Sequence, residues 1–250
     1  MKRCHLFLTA LVLALALSVG VNAALFERGT RYYLELNATR LDPLDIRAFP
    51  AAPPPDAARP LVVFLGDSRA QDWPAPALDG LAFLNRGIGA QTCAQVAGRF
   101  DAHIAPLQPD VLVLQVGIND LKTIPLFPDQ SQTIAAGSAA CIRQLVGQAR
   151  AVGAAVVLTT VFPVGAPPLE RRLFWSDDIA QAVTDVNAQL RALADDSLIV
   201  LDAYNLLADD DGLLRPEYSQ DELHLNAAGY AVLNEALANL LLSALGGDMA

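Results

Sequence analysis

The chain has 250 residues, 53% of them hydrophobic, and a formal net charge of −10. That length suits one large domain whose core is big enough to stabilise it without cross-links. The acidic balance argues against a general nucleic-acid or anionic-membrane surface, which needs clustered Lys and Arg; beyond the N-terminal Lys2-Arg3 no basic run exists other than Arg171-Arg172, and no nucleic-acid partner is expected.

At the N-terminus Lys2, Arg3 and His5 precede Leu6 to Val21, in which only Thr9 and Ser18 are polar. A positive stretch followed by an apolar one is the pattern of an export signal, and Val21-Asn22-Ala23 offers small residues at a cleavage site. Counted on through Phe26, the run is also long enough to span a bilayer. Residues 1–24 are therefore expected to be a signal peptide or an N-terminal anchor, with membrane attachment through residues 6–26 in the second case. Either way the basic flank leaves the bulk of the chain outside the cytoplasm, secreted, periplasmic or anchored.

Residues 25–60 read as a stem and linker. Leu25 to Asp45 interleaves Tyr32, Tyr33, Leu34, Leu36, Leu41 and Leu44 with charges, as a short amphipathic helix would. Pro53, Pro54, Pro55 and Pro60 make the next stretch extended and semi-rigid. A folded domain is expected over 61–246.

There the pattern alternates. Strands are expected at 61–66, 81–86, 110–116, 155–161 and 198–202, and helices at 69–73, 91–104, 131–151, 177–194 and 226–245. Several strands are apolar runs without alternation, such as Leu61 to Leu65 and, but for Gln115, Val111 to Val116, so both faces are buried. Alternating strands and helices of this kind predict an α/β fold: a three-layer α/β/α sandwich around a five-stranded parallel sheet, in the flavodoxin-like order 2-1-3-4-5. Two long loops, Phe162 to Ser176 and Ala203 to Leu223, each follow a strand and overhang the C-terminal sheet edge, where long loops usually serve function.

The first strand runs into Gly66-Asp67-Ser68. Alone this is ordinary turn chemistry, but a hydroxyl at that edge becomes a nucleophile if a base takes its proton. Of three histidines, His5 belongs to the export segment and His103 falls at the opposite sheet edge. His224 remains, near the start of the last helix, and Asp221 three positions earlier can fix its tautomer. Turns after the second and third strands are oxyanion-donor candidates, each by itself an ordinary strand-to-helix turn: a backbone N–H in Asn85-Arg86-Gly87-Ile88-Gly89, and the Asn119 amide in Gly-Ile-Asn-Asp. In a 2-1-3 order these strand ends are neighbours. No Cys/His cluster or His-Glu-x-x-His motif indicates a catalytic metal, no cofactor is expected, and no Gly-x-Ser-x-Gly elbow occurs.

The ordered set Gly66-Asp67-Ser68, Gly87, Gly117-x-Asn119-Asp120 and Asp221-x-x-His224 resembles the SGNH (GDSL-type) hydrolase superfamily, from about residue 61 to 240. The resemblance implies Ser68 as nucleophile, His224 as base and Asp221 as its orienting acid. It also implies the Ser68 and Gly87 amides and the Asn119 side chain as oxyanion donors, in the same sandwich fold. The chain departs from the pattern at Arg69, where the family carries Leu, and at Ala90, where a further glycine is frequent. Arg69 is expected either to bind an anionic substrate group or to pair with an acidic neighbour such as Asp72, the pairing being preferred.

The function these residues imply is an exported serine esterase acting on acyl or acetyl esters of a lipid, carbohydrate or small molecule. An O-acyltransferase and a non-catalytic binding module remain as rivals. The loop residues Leu169, Leu173, Phe174, Trp175, Tyr204, Leu206, Leu207, Leu213 and Leu214 line an acyl pocket or simply pack. Cys93 and Cys141 either pair, as an oxidising compartment allows, or remain buried thiols.

Overall fold

The computed structural model describes residues 2–49, 59–195 and 197–246, and its contacts divide the chain at Asp45 into two compact units. In the first unit, helix α1 runs unbroken over Lys2–Leu41 with no buried residue. It is long and apolar enough to cross a membrane. The short amphipathic helix expected within Leu25 to Asp45 is instead the second half of this one element. Ala, Leu and other strong helix formers dominate it, and no proline interrupts it. The Pro-rich stretch 53–55 lies outside the described residues.

The second unit, from Ile46, contains the sheet. In chain order the elements are β1 (Leu61–Gly66), α2 (Ser68–Gln71), β2 (Ala82–Gly87), α3 (Cys93–Gly98), α4 (Phe100–His103), β3 (Val111–Gln115), α5 (Ile118–Leu121), α6 (Ser131–Ala151), β4 (Ala155–Thr159), α7 (Asp178–Arg191), β5 (Leu198–Leu201), α8 (Ala203–Leu207) and α9 (Ala227–Gly246). All pairings are parallel and the order is β2-β1-β3-β4-β5, as the alternation predicts. The expected helix over 91–104 is broken at Arg99 into α3 and α4.

Alternate strand residues face two cores. Val63, Leu65, Leu112, Leu114, Val156 and Leu158 pack under α3, α4, α6 and α7. Val62, Phe64, Val111, Val113 and Val157 pack under α8 and α9, together with Trp73 and Phe162. With both faces covered, the inner strands need apolar residues at every position, which is why their sequences do not alternate. Strand β1 lies between β2 and β3, so its C-terminal end sits between the turns that follow those two strands.

The register places Gly66 beside Gly87 and Gln115. A Cβ on Gly66 would lie 1.6 Å from the Gln115 carbonyl oxygen, and one on Gly87 would lie 2.1 Å from the Gln71 nitrogen. Only glycine at these two positions allows β3 to approach the end of β1, and α2 the end of β2, this closely.

Cys93, at the start of α3, is joined to Cys141 in α6 by a disulfide, with Cα atoms 6.1 Å apart. Of the two readings of these cysteines, the paired one is correct. The bridge ties the helix after β2 to the long helix covering β3 and β4.

Candidate active site

Ser68 is the first residue of α2. The preceding Asp67 is fully buried and its Oδ1 accepts the Arg69 amide at 2.9 Å, capping the helix. The Ser68 amide has no acceptor among the described residues, so it points out of the helix N-terminus as a free donor.

The loop opposite presents the histidine. An isolated bridge between Ser219 and Leu225 closes the segment carrying Asp221 and His224. Asp221 Oδ1 accepts the amides of Leu223 at 2.8 Å and His224 at 2.7 Å. Its Oδ2 lies 2.8 Å from His224 Nδ1, and His224 Nε2 lies 3.0 Å from Ser68 Oγ. A carboxylate can only accept, so Nδ1 carries the proton and Nε2 faces the hydroxyl as acceptor, a tautomer assigned from the hydrogen bonds. Burial opposes ionisation of Asp221, but the His224 ring and the Leu223 and His224 amides outweigh it and hold the carboxyl below its usual range. His224 is not in the last helix: α9 begins at Ala227, and Asn226 caps it by accepting the Ala228 and Gly229 amides. His103 is engaged elsewhere, donating from Nε2 to the Ile46 carbonyl at 3.0 Å.

The two further donors differ in availability. Asn119, buried in α5, uses one Nδ2 hydrogen on the Gln91 carbonyl at 3.0 Å and keeps its second. The Gly87 amide is already donated to Asn85 Oδ1 at 2.8 Å. Asn85 is itself fixed, its Nδ2 lying 2.7 Å from the Ala70 carbonyl and 3.2 Å from those of Gln71 and Trp73. No motif marks Asn85 in the sequence beyond its being a polar residue two positions before Gly87 near the end of β2.

Arg69 makes no pair with Asp72. It is fully buried, and its guanidinium donates to three backbone carbonyls: Nε to Leu223 at 2.7 Å, Nη1 to Phe162 at 3.0 Å and Nη2 to Pro163 at 3.2 Å. The side chain runs inward to loop carbonyls that only the tertiary fold brings together, so the sequence-adjacent acid has no part. A second buried arginine, Arg99, lies on the other side of β1 and donates to the Gly66 carbonyl at 3.0 Å and to Gln91 Oε1 at 2.5 Å. No sequence signal marked Arg99 or Gln91.

The loop residues divide. Leu207 and Leu214 are core, whereas Leu169, Leu173 and Phe174 are 77%, 86% and 61% exposed on a 3-10 segment, Leu169–Phe174. Arg171 on that segment pairs with Glu222, the residue after Asp221, at 2.5 Å. Among the described residues no group of three or more His, Cys, Asp or Glu side chains is arranged to hold a metal ion.

The GDSL-like lipase/acylhydrolase family profile matches residues 54–232, and the chain belongs to that family. It is an ester hydrolase. Solved structures agree on the fold. A candidate acylhydrolase from Bacteroides fragilis is 25% identical over 77% of this chain and 91% of its own, with a TM-score of 0.63. A GDSL-like lipase from Bacteroides thetaiotaomicron is 23% identical over 81% and 99%, with a TM-score of 0.68. An acetyl xylan esterase, AlAXEase, is 21% identical over 72% and 99%, with a TM-score of 0.58. No curated protein matches the chain.

Proposed function

We propose that the protein is an exported serine esterase in which Ser68, His224 and Asp221 form the catalytic triad. The supporting observation is the chain of contacts from Asp221 Oδ2 through the imidazole to Ser68 Oγ, at 2.8 and 3.0 Å. Ser68 Oγ attacks the ester carbonyl carbon while His224 Nε2 takes its proton, and Asp221 stabilises the imidazolium that results. The oxyanion receives the Ser68 amide and the free Nδ2 hydrogen of Asn119, and Gly87 contributes an amide shared with Asn85 Oδ1. His224 returns the proton to the departing alcohol, and water then releases the acyl group by the same steps. The His224 and Asp221 side chains are 29% and 42% exposed, which favours water over a bulkier acceptor in the second half-reaction.

Export is proposed on the strength of α1, with Lys2 and Arg3 before its apolar run, and of the disulfide, which suits an oxidising compartment. The exposed apolar side chains of Leu169, Leu173 and Phe174 beside the catalytic loop suggest an ester with an apolar acyl or alcohol portion. The finer substrate class is read from an acyl-chain-length series of p-nitrophenyl esters.

The deciding experiment replaces Ser68 with Ala. Hydrolysis of a short p-nitrophenyl ester should vanish with the fold intact, and a fluorophosphonate should label the wild type and not the variant. Retained turnover removes the assignment.

A further inference from the structure

We propose that Arg69 is a positioning residue, whose guanidinium holds the peptide bearing His224 at the distance at which the imidazole meets Ser68. This rests on the triad reading above.

Arg69 follows Ser68 directly, and both of its main-chain groups are held: its amide by Asp67 Oδ1 at 2.9 Å, and its carbonyl by the Tyr230 hydroxyl of α9, which donates at 2.9 Å. The guanidinium therefore leaves from a fixed point one residue from the nucleophile. Its Nε donates to the Leu223 carbonyl at 2.7 Å, the shortest of its three bonds.

That carbonyl belongs to the same peptide group as the His224 amide. The His224 amide donates to Asp221 Oδ1 at 2.7 Å. A peptide unit is planar, so fixing its oxygen on one side and its hydrogen on the other fixes the plane from which the imidazole projects. Asp221 holds one side and Arg69 the other. The guanidinium thus joins the neighbour of the nucleophile to the backbone of the base, while Nη1 and Nη2 tie the Phe162 and Pro163 carbonyls into the same cluster.

The chemistry of the group suits this task. A guanidinium presents its donors in a rigid planar fork, which reaches three carbonyls on two loops at once; an ammonium is a point charge on a flexible stem. Among the described residues no side-chain carboxylate bonds to the Arg69 guanidinium, whose three acceptors are backbone carbonyls. The Phe162 ring, 5.3 Å from the guanidinium carbon, covers one face.

The experiment uses the full chain in detergent, with Arg69→Lys to keep the charge and Arg69→Met to keep the volume. Misplacing a catalytic group by about 1 Å costs on the order of a hundredfold. We expect kcat for p-nitrophenyl acetate and the rate of fluorophosphonate labelling to fall together by about ten- to a hundredfold, with KM changed by less than about threefold. Leu190→Ala, which opens a cavity in α7, controls for general destabilisation: its melting temperature should fall with kcat unchanged. Arg69→Lys with a lowered melting temperature but kcat and labelling rate within threefold of wild type would show a merely structural clamp and overturn the proposal.

If neither variant folds, the wild type still decides. The Arg69 Nε–H resonance should be strongly protected from hydrogen exchange, both before and after phosphonylation of Ser68; rapid exchange rejects the contact with Leu223. Turnover surviving Ser68→Ala would instead remove the triad reading, an outcome distinct from failure of the clamp alone.

Discussion

Asp67 and Asn119 carry the sharpest expectations at the scale of single residues. Burial pushes the Asp67 carboxyl up to about 6, against the opposing pull of the Arg69 charge, and its Oδ2 has no hydrogen-bond partner. A carboxyl whose folded value is raised contributes stability that is complete below its unfolded value, near pH 4, and is lost as the pH rises through about 6. Asp67→Asn keeps the Oδ1 cap and removes this titration. Between pH 4 and 7 the stability of the wild type relative to the variant should therefore fall, by on the order of 2–3 kcal/mol. Paired thermal melts across that range check it, and a constant difference contradicts it. Asp221 works in the opposite direction: its carboxyl is held low, so its contribution is present above pH 4 and fades in acid. The Asp67→Asn variant retains Asp221, so its difference from the wild type isolates the Asp67 contribution.

Asn119→Ala removes one of the two donors that are free as folded. The cost should be roughly 3–4 kcal/mol of transition-state stabilisation, or about two to three orders of magnitude in kcat, with little change in KM. Steady-state kinetics on the short ester measures it. A loss smaller than about threefold would exclude Asn119 from the oxyanion site.

The elements around these residues set how firmly the site is held. The Cys93–Cys141 bridge closes a loop of sequence separation 48, for which chain entropy predicts about 4 kcal/mol, with measured bridges commonly giving less. Cys93 is also where its amide donates to Asp120 Oδ2, next to Asn119. Reduction, or Cys141→Ser, should lower the melting temperature by roughly 5–15 °C. Calorimetry with and without a reductant tests this, and an unchanged melting point would mean the closed loop is already ordered in the unfolded ensemble. Neither the pairing nor the break at Arg99 was readable in the sequence. The first depends on α3 packing beside α6, and the second on a cation drawn inward to the Gly66 carbonyl.

At the scale of the whole molecule, the second compact unit starts at Ile46, ahead of its first strand. The Arg86 guanidinium carbon sits 4.6 Å above the Phe49 ring, the His103 ring meets Phe49 edge-on at 5.3 Å, and the Ile46 carbonyl accepts from His103. A chain starting at Ile46 is expected to melt several degrees above one starting at Arg59, with both retaining esterase activity. Equal melting points would place the boundary at Arg59 after all. This part of the stem looked like linker because a few residues docking on a distant surface leave no periodic pattern.

What the sequence determined by itself was local and repetitive. Continuous apolar strands alternating with helices dictate a doubly covered parallel sheet, because no other arrangement buries both faces of such strands. The blocks at Ser68, Gly87, Asn119 and Asp221–His224 were legible because each sits where a strand or loop ends at the same sheet edge. The tertiary structure alone decided what holds those blocks together. For Arg69 the sequence offers only near neighbours such as Asp72 as protein partners; in the fold it reaches carbonyls 93, 94 and 154 positions away. Backbone carbonyls have no identity in a sequence, so a side chain that binds them cannot be paired until the chain has folded.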